Sequence, residues 1–438
     1  MKKVLCHGCW DVLHYGHIAH LTAAKKFGDY LIVSVTADKF VNKGPGRPYF
    51  PQDTRAEMLR SLKIVDEVVI SNSPIAVDII NKLKPDVYVK GKDYANGEFD
   101  IDLEAKAVKS YGGEVEFTDE ATNSSSKIIN NVLAPWTDDQ KYMIDKIKRL
   151  GGVKAIEKIL DKISNLKVLV VGEQIRDVYR YVTPQGVSSK SPSLSCRFFY
   201  EESFKGGALA VKRHLDSFCK VWQRKSKINH TKIRYISEET NQRLFEVVKH
   251  PYEMPISKID DKGMDILIVC DFGHGLFPDM DFSKNTFTCL NVQTNSSNYG
   301  FNVVHRHTGA DYICIDKREL SVATRMKSFN FDFIKTLRAY KKLHKIDRLS
   351  VTLGNRGSIF LGEKRFSSSP AFASDIKDTI GAGDAYFAIT SLLVKIEADE
   401  NMIVFLGNVF AGLKTQIIGN KKPVTKNDLL KACKSILA

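Results

Sequence analysis

An apolar run, Val4-Leu5-Cys6, breaks into a turn carrying Gly8, Trp10 and Asp11. The turn leads into His14-Tyr15-Gly16-His17 at the head of an amphipathic stretch. This order constrains the chain most, because it demands a strand, a turn and a helix in quick succession. It brings two imidazoles and a helix N-terminus to one point, which is a grip for an anion such as a triphosphate. His14 and His17, three residues apart, share a helix face, and Gly16 keeps the backbone open to close approach. A histidine pair by itself also serves packing or metal binding. The same alternation runs on to residue 130. Candidate strands are Lys3–Cys6, Tyr30–Val35, Glu67–Ile70, Asp86–Val89 and Glu114–Phe117, separated by helical patterns at Ile18–Phe27, Thr54–Leu62, Ile75–Leu83 and Asp100–Tyr111. Short apolar strands between helices predict an α/β fold whose parallel sheet is covered on both faces.

Further on, Pro135-Trp136-Thr137-Asp138-Asp139 is a helix-start signal. Helical spacing through Met143, Ile144 and Ile147, then Ile156 and Ile159, reads as a helical linker over 133–165. A buried first strand, Lys167–Gly172, opens a second α/β domain over 166–438, after a first domain of 1–132. Cys196–Tyr200 and Arg243–Val247 are rich in aromatic and β-branched residues and predict a small lid of strands. Strand and helix alternate again through Asp265–Cys270, Tyr312–Ile315 and Leu349–Leu353.

Composition excludes several classes. With 438 residues, 43% hydrophobic and 26% charged, the chain has the make-up of a soluble multidomain protein. No stretch approaches the roughly 18 apolar residues of a membrane span, and the start lacks a signal-peptide pattern, so the expected location is the cytoplasm. Eight scattered cysteines read as reduced core thiols, Cys6-x-x-Cys9 included. The net charge of +14 comes without an arginine-rich tail or nucleic-acid motif, so the expected partners are small phosphorylated molecules, with neither nucleic acid nor membrane.

The N-terminal residues resemble the HIGH-motif nucleotidyltransferases, within them the cytidylyltransferase-like branch acting on sugar and alcohol phosphates. Other matches follow in order: Asp38, Lys43 in the loop Lys43-Gly44-Pro45-Gly46-Arg47-Pro48, Arg55 opening a helix, Val89-Lys90-Gly91-Lys92-Asp93-Tyr94, and the Ser-rich turn Asn123–Ile128 with Ser125 and Ser126. The resemblance implies attack of a substrate phosphate on the α-phosphate of a nucleoside triphosphate, with release of pyrophosphate. His14 and His17 would hold the triphosphate in the transition state, and Lys43 would close over it. Gly8, Trp10, Asp11, Gly16, Arg55, Lys90, Gly91, Asp93, Ser125 and Ser126 would bind the nucleotide and its phosphates, with Mg²⁺ offsetting their charge. The loop at Lys43 and the turn at Lys90 favour ATP over CTP.

Near the far end, Asp378-Thr379-Ile380-Gly381-Ala382-Gly383-Asp384 precedes an apolar helix. Two glycines free backbone amides at a helix start as an anion hole, and an acid placed there can accept a proton from an attacking hydroxyl. This resembles the PfkB, or ribokinase-like, carbohydrate kinases. The resemblance implies Asp384 as base, Gly381, Ala382 and Gly383 as anion hole, and Thr352, Gly354 and Gly357 at the nucleotide. It also implies Asp177, Gly206 and Gly207 at the sugar and Glu319 near Mg²⁺. Three positions depart from the family: no Asn follows Gly206-Gly207, Asp316 stands for Asn in Asn-x-x-Glu, and His274 stands for Lys. The amide-rich run Asn291–Asn298 is a candidate remodelled acceptor pocket or an ordinary polar loop.

Together the halves resemble the bifunctional ADP-heptose synthases with the order reversed. The expected fold is a Rossmann-like nucleotidyltransferase domain followed by a ribokinase-like α/β/α domain with a small β lid. The expected activity is a sugar kinase joined to a sugar-phosphate nucleotidyltransferase, making an activated nucleotide sugar for a surface glycan. The alternative is a CTP-dependent enzyme making a CDP-polyol or CDP-sugar, its PfkB half a divergent kinase or a non-catalytic dimerisation module. A homodimer is expected from both resemblances.

Overall fold

The computed structural model describes residues 1–41, 47–91, 102–119, 136–224, 229–251, 254–295, 298–326, 333–363 and 365–438. The chain forms two compact units, Met1–Thr137 with Lys431–Ala438, and Asp138–Leu430.

The first unit is built on five strands, β1 (Lys3–Gly8), β2 (Tyr30–Thr36), β3 (Glu67–Ser71), β4 (Val87–Gly91) and β5 (Glu114–Thr118). They are all parallel, in the order β3-β2-β1-β4-β5. Helices α1 (Tyr15–Lys25), α2 (Gln52–Arg60), α3 (Val77–Leu83) and α4 (Asp102–Lys109) cover it. Strand side chains alternate between the faces. Val4, Cys6, Leu31, Val33, Val35, Val87 and Val89 pack with Leu21 and Ala24 of α1 and Ala56 and Leu59 of α2. Leu5, Ile32 and Tyr88 pack with Ile79 and Ile80 of α3 and Val108 of α4 on the other side. A strand buried on both faces must be apolar throughout, which is why these strands read as continuous runs. The order reverses between β1 and β4, and in such sheets the crevice beyond the strand ends at that point receives ligands. The histidine turn leaves β1 there.

In the second unit, eight strands form one sheet in the order β17-β16-β15-β14-β13-β12-β6-β9. The strands are β6 (Lys167–Gly172), β9 (Lys220–Gln223), β12 (Ile266–Asp271), β13 (Thr288–Val292), β14 (Tyr312–Asp316), β15 (Arg348–Thr352), β16 (Ser358–Leu361) and β17 (Phe366–Ser369). Only β16 and β17 run antiparallel to their neighbours. One face packs on α8 (Lys317–Thr324) and α9 (Phe333–Leu343) through Leu320, Leu337 and Tyr340. Behind the other lie α10 (Ala382–Lys395) and α11 (Glu400–Thr415), buried around most of their circumference, and the Tyr312 hydroxyl donates to Thr390 Oγ1 at 2.8 Å. Both faces are thus covered, as the sequence predicts for an α/β unit.

A second sheet in this unit has the order β11-β10-β7-β8, from β7 (Gln174–Val187), β8 (Leu194–Gly207), β10 (Asn229–Ser237) and β11 (Arg243–Lys249). It contains both stretches read as lid strands. Helices α5 (Asp138–Arg149) and α6 (Gly152–Ile163) occupy the segment read as a linker. That reading is corrected: both belong to the second unit, α5 packing on α11 and α6 on α10. Met143, Ile144 and Ile147 are buried, and Gln140 Nε2 donates to Ala371 O at 2.7 Å. An apolar stripe of that width needs a partner surface, and a free linker would leave it in water. All eight cysteines are free thiols, six of them buried. Burial pushes Cys6 up to about 12, against any redox role for Cys6-x-x-Cys9. No helix among the described residues is long and apolar enough to cross a membrane.

Candidate active sites

The first site is the turn between β1 and α1. Trp10 (φ 55°) and Val12 (φ 45°) both sit in the left-handed region, which costs a non-glycine residue free energy. The surroundings hold them there. Trp10 is buried, its Nε1 donates to Ser34 O at 2.9 Å, and its ring lies over Gly8. Asp11, read as a nucleotide ligand, accepts from the amides of Tyr49 (2.8 Å) and Phe50 (3.0 Å). It anchors the chain that returns after the Gly-rich loop.

His14 caps α1, its Nδ1 accepting from the Gly16 amide at 3.1 Å. That bond makes Nε2 the proton-bearing nitrogen, so His14 presents a donor. His17 stacks on His14 with ring centroids 4.0 Å apart and meets Trp10 edge-on at 5.4 Å. Two further histidines, not anticipated from the sequence, complete the group. His20 stacks on Trp10 at 5.9 Å and pairs with Thr118 Oγ1 at 2.6 Å. His7 lies between Ser34 Oγ (3.0 Å) and Thr36 Oγ1 (3.3 Å). Burial, then the Lys90 charge, lowers His7 to about 3 and His20 to about 4, so both are neutral scaffolding at pH 7.

Arg55 requires a correction. Its side chain is fully buried and its fork is spent on the protein. Nε donates to Phe50 O (2.9 Å), NH1 to Cys9 O and weakly to Cys9 Sγ, and NH2 to Thr36 O (2.9 Å) and Asp38 Oδ1 (2.5 Å). Five donors with five acceptors leave nothing for a phosphate. Arg55 instead welds the turn, the end of β2 and the head of α2. Arg55→Lys keeps the charge but loses the fork. The expected loss is about 3 kcal/mol, a fall of roughly 10 °C for a unit this size, measured as the N-terminal transition in calorimetry. Lys90 is also buried, with Nζ 3.3 Å from His7 O and 3.8 Å from Glu104 Oε2, so it braces the end of β1. Gly91 at the end of β4 faces open space. Lys43, Asp93, Ser125 and Ser126 lie outside the described residues.

The second site is a cleft of about 250 Å³ in the second unit. Gly381, with φ 77°, starts α10 in a conformation suited to glycine. Gly381, Gly383 and Asp384 line the cleft with Asp177, Lys232, Arg234, Gln293, Glu319 and Thr352. Asp384 Oδ1 accepts from Gln293 Nε2 at 2.6 Å. Burial raises Asp384 to about 6. Lys414, fully buried and not anticipated, donates to Ile380 O (2.8 Å) and Gly419 O (2.7 Å). It puts a fixed positive charge behind the helix start. Asp378 accepts from Tyr179 Oη at 2.7 Å and from the amides of Gly419 and Ile380, and so shapes the loop entering α10.

Gly206 and Gly207 are explained by space. A Cβ on Gly206 would lie 2.1 Å from Asp177 Oδ2, and one on Gly207 2.3 Å from Glu173 O. The first makes room for the Asp177 carboxylate, which pairs with Arg234. Gly206→Ala is expected to displace Asp177 and cut kcat/KM for the phosphoryl acceptor at least about tenfold, with KM for ATP unchanged. Gly357 (φ 88°) has its missing Cβ 2.0 Å from Ser369 O, whereas Gly354 faces open space. Neither lines the cleft as Thr352 does.

Glu319 and Asp316 form a reciprocal cap on α8, and Glu319 Oε1 accepts from the Thr294 amide at 3.2 Å. Loss of solvent, then the Asp316 charge, raises Glu319 to about 8, with Asp384 adding to the repulsion. Carboxylates held together against their own repulsion suit a hard divalent cation such as Mg²⁺. The amide-rich run is largely structural. Asn291 donates to Cys314 O and Asn295 to Phe272 O, and Asn298 donates to Phe272 O and Gly273 O. Among the described residues of that run, Gln293 reaches Asp384, and Asn291, Gln293 and Thr294 line the cleft.

Comparison with known proteins follows this division. Residues 5–131 match the family described as cytidylyltransferase-like, and residues 281–427 match the pfkB family of carbohydrate kinases. The chain joins a cytidylyltransferase-like domain to a PfkB domain. The bifunctional protein HldE of Methylobacillus flagellatus is 37% identical over 135 residues, 30% of this chain and 27% of that protein. HldE of Trichlorobacter lovleyi is 39% identical over 145 residues, 32% of this chain and 28% of that protein. The chain thus spans less than a third of the length of these relatives. The structure of Arabidopsis thaliana ribokinase complexed with ribose and ATP aligns with a TM-score of 0.48 at 14% identity, covering 62% of this chain and 99% of that one.

Proposed function

We propose that the chain is a bifunctional transferase, a carbohydrate kinase and a pyrophosphate-releasing nucleotidyltransferase that together make an activated nucleotide sugar of the ADP-heptose type for a surface glycan. The observation that carries it is the pair of anion sites on one chain. Stacked His14 and His17 stand at the switch point of a parallel sheet, and Asp384 stands at a glycine-opened helix start.

In the first unit the phosphate oxygen of a sugar phosphate attacks the α-phosphorus of ATP, and pyrophosphate leaves. His14 and His17 donate to phosphoryl oxygens as their charge grows, and the N-terminus of α1 adds to that field. In the second unit a sugar hydroxyl attacks the γ-phosphorus of ATP and ADP leaves. Asp384 takes the hydroxyl proton, the first-turn amides of α10 receive the transferring phosphate, and Lys414 adds a positive field. Asp177 and Arg234 position the sugar. Glu319 and Asp316 would hold Mg²⁺ through water, and the ion neutralises phosphate charge. ATP is the favoured nucleotide at both sites, the relatives at 37–39% identity being named HldE. A homodimer is part of the proposal, since Phe198, Phe199, Phe245 and Val247 leave the second sheet apolar and exposed. So is a cytoplasmic location, where nucleoside triphosphates are supplied.

The test supplies the purified chain with ATP or CTP and a panel of sugars, sugar phosphates and polyol phosphates, following ADP and pyrophosphate separately. Pyrophosphate with ATP and a sugar 1-phosphate supports the reading. Pyrophosphate with CTP alone would replace it with a CDP-polyol or CDP-sugar synthase.

A further inference from the structure

Strand β10 puts His230, Lys232 and Arg234 on one face, since side chains two apart point the same way. Lys232 and Arg234 line the kinase cleft, and His230 continues their row beyond it. His230 is fully buried. Two histidines from elsewhere in the second unit meet it. His250 follows the last residue of β11, and His274 lies in the loop after β12. Ring centroids are 4.3 Å apart for His250 and His274, 4.7 Å for His230 and His274, and 5.8 Å for His230 and His250.

One nitrogen from each ring lies within 4.8 Å of the other two. His274 Nε2 is buried and makes no hydrogen bond, which is costly for a polar atom unless something else fills the place. The His274 backbone is pinned, its amide donating to Glu173 Oε1 at 3.0 Å.

We propose that His230, His250 and His274 bind a divalent transition-metal ion of the zinc class, clamping the four-stranded sheet to the loop after β12. Three imidazoles around Zn²⁺ at 2.0–2.1 Å would have nitrogens about 3.4 Å apart, a small ring adjustment from the arrangement seen. Neutral nitrogen ligands select Zn²⁺, Co²⁺ or Ni²⁺ and reject Mg²⁺, which takes oxygen. His250 is exposed, so the fourth position opens to solvent and takes water. The trio consists of imidazoles alone, whereas the Mg²⁺ position is set by the carboxylates of Glu319 and Asp316, so the two differ in ligand set.

The test titrates Co²⁺ into the chelator-treated full-length protein and follows the visible bands of a tetrahedral centre, with displacement by Zn²⁺. One ion per chain is expected, along with a zinc-dependent rise in the melting temperature. His250→Gln and His274→Gln should each weaken binding by more than the roughly 10–100-fold that loss of an outer-shell partner costs. His250 is on the surface, so its variant should fold, as circular dichroism will show. His14→Ala/His17→Ala controls for the other histidine cluster and should retain the bands. Absence of tetrahedral bands overturns the proposal, as does their persistence in His250→Gln and His274→Gln.

Discussion

Replacing His17 by Ala should lower pyrophosphate release by about 10²–10³-fold, the usual consequence of deleting one donor aimed at developing charge, while leaving ATP-dependent phosphorylation of the sugar intact. His17 is stacked on His14 at 4.0 Å and held edge-on by Trp10. The pair therefore sits as a preorganised unit at the head of α1, on a turn whose strained Trp10 and Val12 have no slack. Because the donors act on charge that grows in the transition state, the loss should appear in kcat more than in KM for the nucleotide. Both activities are assayed on one preparation of the variant. Concurrent loss of the kinase reaction would mean that the two units fail together, and full retention of pyrophosphate release would remove His17 from the chemistry.

The parts of the molecule that could be read in the sequence are those fixed by local pattern. All five strands of the first unit appear at the predicted runs; the inner β2, β1 and β4 are covered on both faces and read as near-continuous apolar stretches, whereas the edge strands β3 and β5 carry Glu67, Glu114 and Glu116. His14 and His17 were legible because spacing along one helix sets their proximity. Arg55 was not. An arginine opening a helix after a Gly-rich loop has the look of a phosphate ligand, and only the return of residues 36–38 and the carbonyls of Cys9 and Phe50 show its donors consumed. The Tyr49 and Phe50 amides that Asp11 accepts were equally out of sight, since they lie 38 and 39 residues further on. The segment at 133–165 showed its helices but not their partner, since an amphipathic stripe records that something covers it without naming what. Lys414 and the trio of His230, His250 and His274 were out of reach. Each depends on elements far apart in the chain, and no periodicity links them.

Asp384→Asn should abolish most of the kinase reaction, by about 10²–10⁴-fold, and spare pyrophosphate release. The replacement keeps the shape and a hydrogen-bonding partner for Gln293 but cannot accept the proton of the attacking hydroxyl. The pH profile separates this from a structural effect. Burial raises Asp384 to about 6, so the carboxylate is the dominant form only above that pH. Wild-type phosphotransfer should rise with the loss of one proton through about pH 6, and the residual rate of the variant should lack that limb. Stability should move the opposite way. A folded pKa above the unfolded value means that this group's contribution is full below about pH 4 and is lost as pH rises through about 6. At pH 8 the neutral Asn is then expected to melt no lower than the charged Asp, while catalysis has gone. An inactive variant that melts well below the wild type would point to disturbed packing at the head of α10. An active one would show that the proton leaves by another route.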